Sequence, residues 1–80
     1  MNQFRMDRLL PGQCARIVDI EADEDIKRRL MDLGMVRGTK VKTVLISPAG
    51  DPVAYEIRGA VVALRKRVSS LVTVEEEGLT

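Results

Sequence analysis

One segment of this chain, residues 29–41 with the sequence RLMDLGMVRGTKV, constrains the local fold more tightly than any other. Gly34 follows the last residue of an apolar helical stripe, a position where a left-handed residue commonly ends a helix. Met35 and Val36 are apolar although they lie between Gly34 and Gly38, where a connecting segment is usually polar. We therefore predict a helix that stops at Gly34, a tight turn at Gly38 and a strand after it.

The helix that leads into this segment is predicted over residues 24–33. Asp23 precedes it as an N-cap, because its carboxylate can accept hydrogen bonds from the free amides of the first turn. Ile26, Leu30 and Leu33 recur at spacings of four and three residues, which places them on one face. We expect the helix to pack against the rest of the domain through this face.

The remainder of the chain predicts short strands separated by turns. The strands are expected over residues 13–20, 40–46, 53–58, 60–65 and 72–74, with one helical turn within 66–71. About five strands with a short α-helix inserted after the first favour a mostly β fold, a small SH3-like barrel rather than an OB-like barrel. We expect one domain over residues 1–75 and a flexible acidic tail over residues 76–80.

Composition limits the classes of function. The 13 basic and 12 acidic residues nearly cancel, and a net charge of +1 gives no general attraction to nucleic acid or anionic membranes. No apolar run approaches the roughly 20 residues that span a bilayer, and the N-terminus lacks the layout of a signal peptide. A single cysteine cannot form an intramolecular disulfide. We therefore expect a soluble, cytoplasmic protein with no direct membrane insertion.

The sequence contains no constellation of catalytic or metal-binding residues. Without histidine, neither Ser-His nor Cys-His nucleophile pairs can form, and one cysteine cannot complete a tetrahedral zinc site. The acidic run over residues 19–25 departs from an EF-hand loop, because Glu24 and Leu30 stand where glycine and glutamate are needed. The glycine spacing in residues 34–40 does not match a P-loop. We expect no catalytic residue, no cofactor and no metal ligand, although a weak divalent site shared with a neighbouring molecule stays open at the acidic run.

Two basic triplets, residues 27–29 and 65–67, are candidates for phosphate contact. Proteins that bind single-stranded nucleic acid usually add stacking aromatic residues. This chain has only Phe4 and Tyr55. Solvated faces are the favoured interpretation of both triplets, and nucleic acid is an unfavoured partner.

Met35 and Val36 allow two interpretations. In the first they pack, Met35 against the end of the helix at Leu30 and Val36 beneath the loop. In the second they form a partly exposed apolar surface for a partner protein, a role for which the adaptable methionine side chain is suited.

The order of these motifs resembles the ferrous-iron transport protein A (FeoA) family. The similarity covers about residues 6–75 and rests on five motifs: Leu9-x-Pro-Gly-Gln, the segment over residues 29–41, Gly50-Asp-Pro-Val, Ile57-Arg-Gly and Ala63-Leu-Arg. One departure is Ala60, where the family would place a larger and often aromatic residue.

The resemblance implies an SH3-like barrel and a non-enzymatic, cytosolic accessory role in ferrous iron uptake and iron homeostasis. The implied partner is FeoB, a membrane iron transporter that carries a GTP-binding domain. The alternative is a transition-metal-binding or metal-sensing module like the C-terminal domain of metal-dependent repressors. Self-association into a homo-oligomer through an exposed strand edge also stays open.

On this basis we predict that the partner binds at the end of the helix. The apolar residues expected to contact the partner or to support that contact are Leu30, Leu33, Met35 and Val36, and the polar rim is expected at Arg29 and Arg37.

Overall fold

The computed structural model describes residues 2–77, which form a six-stranded antiparallel sheet, two α-helices and one turn of 3-10 helix over Met6–Arg8. The strands are β1 (Gln3–Arg5), β2 (Cys14–Ile20), β3 (Lys40–Ile46), β4 (Val53–Ile57), β5 (Ala60–Leu64) and β6 (Val72–Glu76). The helices are α1 (Glu24–Asp32) and the one-turn α2 (Lys66–Ser69). The predicted mostly β class is confirmed.

The strands follow the order β1-β6-β2-β3-β4-β5, and every neighbouring pair is antiparallel. Their inner faces enclose one core. In β4 the predicted alternation is confirmed, since Val53, Tyr55 and Ile57 are buried. The other buried apolar side chains are Met6, Leu9, Ala15, Ile17, Ile20, Leu30, Met35, Val41, Leu64, Val72 and Val74.

The structure has one strand more than predicted, at the N-terminal end of the described residues. β1 pairs with β6 in the register Phe4↔Val74, so α1 follows the second strand rather than the first. Three residues are too short to show a period of two. The strand exists because β6 offers a free edge to pair with, which is a non-local cause.

A β-bulge explains the imperfect alternation of β2. The register with β6 shifts between Ile17 and Asp19, so one extra residue is inserted on this strand. Ile20, which strict alternation places opposite to Ile17, therefore turns back into the core and is 8% exposed.

Residues 76 and 77, which were predicted to belong to a flexible tail, are part of the folded domain. Glu76 ends β6, and the carboxylate of Glu77 accepts from Arg16 at 2.8 Å and from Lys40 at 3.2 Å. The strand and these two ion pairs hold both residues in place, so the domain extends past the predicted boundary at 75. Residues 78–80 of the predicted tail lie outside the described residues.

Tyr55 is fully buried, and its hydroxyl has no hydrogen-bond partner of good geometry among the described residues. Burial raises the pKa of the phenol above its usual value of 10.0, although the neighbouring hydroxyl of Ser69 acts in the opposite direction. The Ser69 hydroxyl itself donates to the carbonyl of Lys66 at 3.4 Å. The folded state therefore favours the neutral phenol.

Because the pKa of Tyr55 is raised in the folded state, the wild type should lose stability at alkaline pH, and the Tyr55→Phe variant should not show this loss. The contribution is complete below the unfolded-state pKa of 10.0 and is lost as the pH rises from there toward the folded-state pKa. Urea unfolding from about pH 8 to about pH 11 should show a steeper loss of unfolding free energy for the wild type than for Tyr55→Phe. At neutral pH the two should differ by about 1 kcal/mol or less. Parallel pH profiles would contradict the prediction.

Candidate partner-binding surface

Helix α1 begins at an N-cap side chain and packs against the core through one narrow face. The Oδ1 atom of Asp23 accepts from the amide of Ile26 at 2.9 Å, which confirms the predicted N-cap. Leu30 is the buried residue of the helix, and Ile26 is partly buried against the core. The remaining faces of α1 are therefore open to solvent.

The helix ends in a Schellman motif, as predicted. Gly34 has a φ of 89°, and its amide donates to the carbonyl of Met31 at 2.8 Å. The amide of Met35 donates to the carbonyl of Leu30 at 2.9 Å. Met35 and Leu30 both belong to the core, so the chain leaves the helix with one side chain directed inward.

The next four residues form a tight turn that is held at several points. The amide of Thr39 donates to the carbonyl of Val36 at 3.0 Å, and Gly38 has a φ of 91°, as a type II turn requires. The Thr39 hydroxyl donates to the carbonyl of Gly34 at 2.9 Å and accepts from the amide of Val36 at 3.2 Å. The amide of Gly38 donates to the carbonyl of Ile17 at 2.7 Å, which ties the turn to β2.

Sequence reasoning missed Thr39, although a signal was present. A threonine that follows a glycine shortly after a helix end can satisfy the free backbone groups of the turn with its hydroxyl. Thr39 does so here, and as a result Val36 is held on an ordered loop.

Two of the predicted partner-binding residues are buried. Leu30 is 3% exposed and Met35 is 0% exposed, so neither side chain can touch a partner of the folded domain. Of the two roles predicted for them, direct contact is wrong, and support of the neighbouring surface is the role that their position allows.

The exposed residues among those predicted at the end of α1 define what we call the helix-exit surface: Arg29, Leu33, Val36 and Arg37. Leu33 and Val36 are each 39% exposed, and Met31 is 54% exposed. Arg29 and Arg37 are also exposed, and their place at the rim of a partner contact stays a prediction. Met31 is two positions before Leu33 and therefore lies on the opposite side of α1, outside this surface.

Among residues 2–77, no group of three or more His, Cys, Asp or Glu side chains lies close enough to hold a metal ion. Cys14 is free and half-buried. Within the same residues no helix is long and apolar enough to cross a membrane.

The model of the FeoA domain matches residues 4–76. This chain belongs to the FeoA family. It is 32% identical over 72 residues to an Fe(2+) transport protein A/Fe(2+) transporter FeoB fusion protein of Porphyromonas gingivalis, an alignment that covers 90% of this chain and 8% of that protein. The chain thus spans less than a tenth of the length of that relative.

Solved structures of FeoA proteins share the fold. The solution structure of FeoA from Chlorobium tepidum is 32% identical, with a TM-score of 0.89 over 94% of this chain and 71% of that one. FeoA from Stenotrophomonas maltophilia, solved in complex with zinc and described as a prokaryotic SH3 domain protein, is 28% identical, with a TM-score of 0.79 over 90% of this chain and 89% of that one. The predicted SH3-like fold is confirmed.

A manganese-dependent transcriptional repressor is similar in fold alone. It is 14% identical, with a TM-score of 0.84 over 94% of this chain and 42% of the repressor chain.

Proposed function

We propose that this FeoA-family chain is a non-catalytic, cytoplasmic accessory domain of ferrous iron uptake that docks on the cytosolic part of a FeoB-type transporter. The observation that carries the proposal is the Porphyromonas gingivalis relative, in which a FeoA domain and FeoB form a single fusion protein. A covalent link keeps two modules at high effective concentration, which is useful when they bind each other.

The helix-exit surface is the proposed docking site. Leu33 and Val36 present apolar area to solvent, and the Thr39 hydrogen bonds already order the backbone that carries Val36. An ordered loop loses less conformational entropy on binding than a flexible one. Arginines at a rim, here Arg29 and Arg37, can pair with acidic groups and exclude water from the apolar centre.

Val36→Asp should weaken binding to the cytosolic domain of FeoB by about tenfold or more, because it would bury an unpaired carboxylate in the interface. The measurement is a pull-down followed by a titration with purified transporter domain. Val44→Asp is a matched control, since Val44 is 45% exposed and lies toward the end of β3 away from the turn that carries Val36. It makes the same chemical change outside the helix-exit surface and should leave the affinity unchanged.

Unchanged binding by a folded Val36→Asp variant would remove the helix-exit surface from the proposal. Equal losses for both variants would place the contact elsewhere. The absence of any binding by the wild type would overturn the docking itself.

The side chains of this chain that could bind a metal ion do not support the metal-sensing alternative. FeoA of Stenotrophomonas maltophilia was solved with zinc, but this chain has no histidine and one cysteine. The described residues also lack a cluster of ligand side chains. In our proposal the ferrous ion is cargo of the transporter and is not held by this domain.

A further inference from the structure

Arg58 adopts a backbone conformation that its residue type disfavours. It is the one non-glycine residue with a positive φ among residues 2–77, with a value of 52°. Arg58 and Gly59, whose φ is 83°, form the two-residue connection between β4 and β5. The signs of both angles are those of a type I′ turn, which favours asparagine or glycine at its first position. A strained residue of this kind points to a use for its side chain.

The side chain of Arg58 lies across the end of α1. Its Cγ, Cδ and Nε atoms border Gly34, and a Cβ added at Gly34 would overlap the Cδ of Arg58. Gly34 therefore has two functions, since it ends the helix with a left-handed residue and leaves room for the arginine. The contact gives the Arg58 side chain a defined course.

Arg58 also lines a groove of about 710 Å³ that is formed by residues of β2, β3 and β4 and of the turn before β3. In the strand register Cys14 faces Lys42, Lys42 faces Glu56, and Arg16 faces Lys40. The cationic side chains that line the groove are Arg16, Arg37, Lys40, Lys42 and Arg58, and its one lining carboxylate is Glu56. A chain with a net charge of only +1 thus concentrates positive charge on one face.

Two of the cations that line the groove already bind a carboxylate of this chain. Glu77 accepts from Arg16 and from Lys40, and these cations lower the pKa of its carboxyl, with the Lys40 hydrogen bond as the main cause. Within residues 2–77 no ion pair reaches Arg37, Lys42 or Arg58. Two cations of the groove thus bind the carboxylate that the chain supplies at Glu77, and the other three form no ion pair among the described residues, although Lys42 faces Glu56 across the strands.

We propose that the basic groove binds an extended, carboxylate-rich peptide segment of a partner protein, with Arg37, Lys42 and Arg58 as its contacts. The planar guanidinium groups match carboxylates in a bidentate geometry. Single-stranded nucleic acid is disfavoured because no aromatic side chain lines the groove and Tyr55 is buried. The groove adjoins the helix-exit surface and shares Arg37 with it, whereas Lys42 and Arg58 lie outside that surface. The peptide test does not depend on the identity of the transporter.

Arg58→Asn tests the proposal, because it removes a groove cation and creates the Asn-Gly pair that a type I′ turn favours. The probe is a labelled synthetic peptide of alternating glutamate and alanine, compared with one of alternating glutamine and alanine by fluorescence anisotropy. The wild type should bind only the glutamate peptide, with an affinity that falls as salt rises. Arg58→Asn should bind it about tenfold more weakly while its melting temperature stays equal or rises.

Arg28→Gln is the matched control, because Arg28 is exposed on α1 outside the groove and loses the same charge. It should change the affinity by no more than about twofold. If Arg58→Asn is unexpectedly unstable, Lys42→Gln provides the second test of the groove.

Three results would overturn the proposal: equal binding of the glutamine peptide, undiminished binding by folded Arg58→Asn and Lys42→Gln, or tighter binding of a single-stranded oligonucleotide than of the glutamate peptide. None of these assays contains the transporter. A failure here therefore leaves the Val36→Asp experiment intact, and the reverse also holds.

Discussion

Met35→Asp is expected to abolish cooperative folding of this domain. Met35 is 0% exposed, and its amide helps to end α1 by donating to Leu30. An unpaired carboxylate in such a site costs several kcal/mol even after the group shifts its pKa. A domain of this size has a stability on the order of 5 kcal/mol. Far-ultraviolet circular dichroism and urea titration should show loss of the unfolding transition.

Met35→Leu is the control for this experiment, because it conserves volume and should cost less than about 1.5 kcal/mol. A cooperative transition of Met35→Asp with the midpoint of the wild type would contradict the burial. The prediction also decides how a partner screen must be designed. Lost binding by Met35→Asp would report unfolding, whereas Val36, 39% exposed one residue later, can report contact.

Gly34→Ala should destabilise the domain by about 2–3 kcal/mol, near the upper end of the cost of a strained left-handed residue. Two effects add. The φ of 89° disfavours any side chain, and the new Cβ would displace Arg58. Gly12→Ala separates them, because Gly12 has a φ of 84° with no atom near its Cβ position. It should cost only about 1 kcal/mol by urea unfolding.

A double-mutant cycle identifies the contact responsible. In an Arg58→Ala background the side chain that Gly34→Ala displaces is gone, so the extra cost of that substitution should vanish. Equal costs of Gly34→Ala and Gly12→Ala in the wild-type background would show that Arg58 moves aside freely. The close approach at Gly34 would then have no energetic consequence.

Local rules predicted the parts of the fold that are local in origin. The cap at Asp23, the helix stop at Gly34 and the buried face of β4 each depend on residues a few positions apart, whose spacing appears in the sequence. β1 could not be predicted this way, because it depends on pairing with β6 at the other end of the chain.

The candidate site was predicted only in part for the same reason. The apolar pair after Gly34 was visible in the sequence, but its division into a buried Met35 and an exposed Val36 follows from the Thr39 hydrogen bonds and the link of Gly38 to β2. The basic groove could not be predicted from local sequence patterns. Its cations are spread from Arg16 to Arg58 and meet only through the strand register.

The Glu77 carboxylate is an intramolecular competitor for any acidic ligand that approaches Arg16 and Lys40. Because it is attached to the end of β6, its local concentration at Arg16 and Lys40 stays fixed when the protein is diluted. Its lowered pKa keeps it ionised to more acidic pH than a free glutamate. An incoming ligand must bind the other cations of the groove or displace Glu77 from Arg16 and Lys40. A ligand with several carboxylates can do this more readily than a ligand with one. If the groove binds acidic peptides as we propose, the Glu77 carboxylate favours ligands that carry several carboxylates over ligands that carry one.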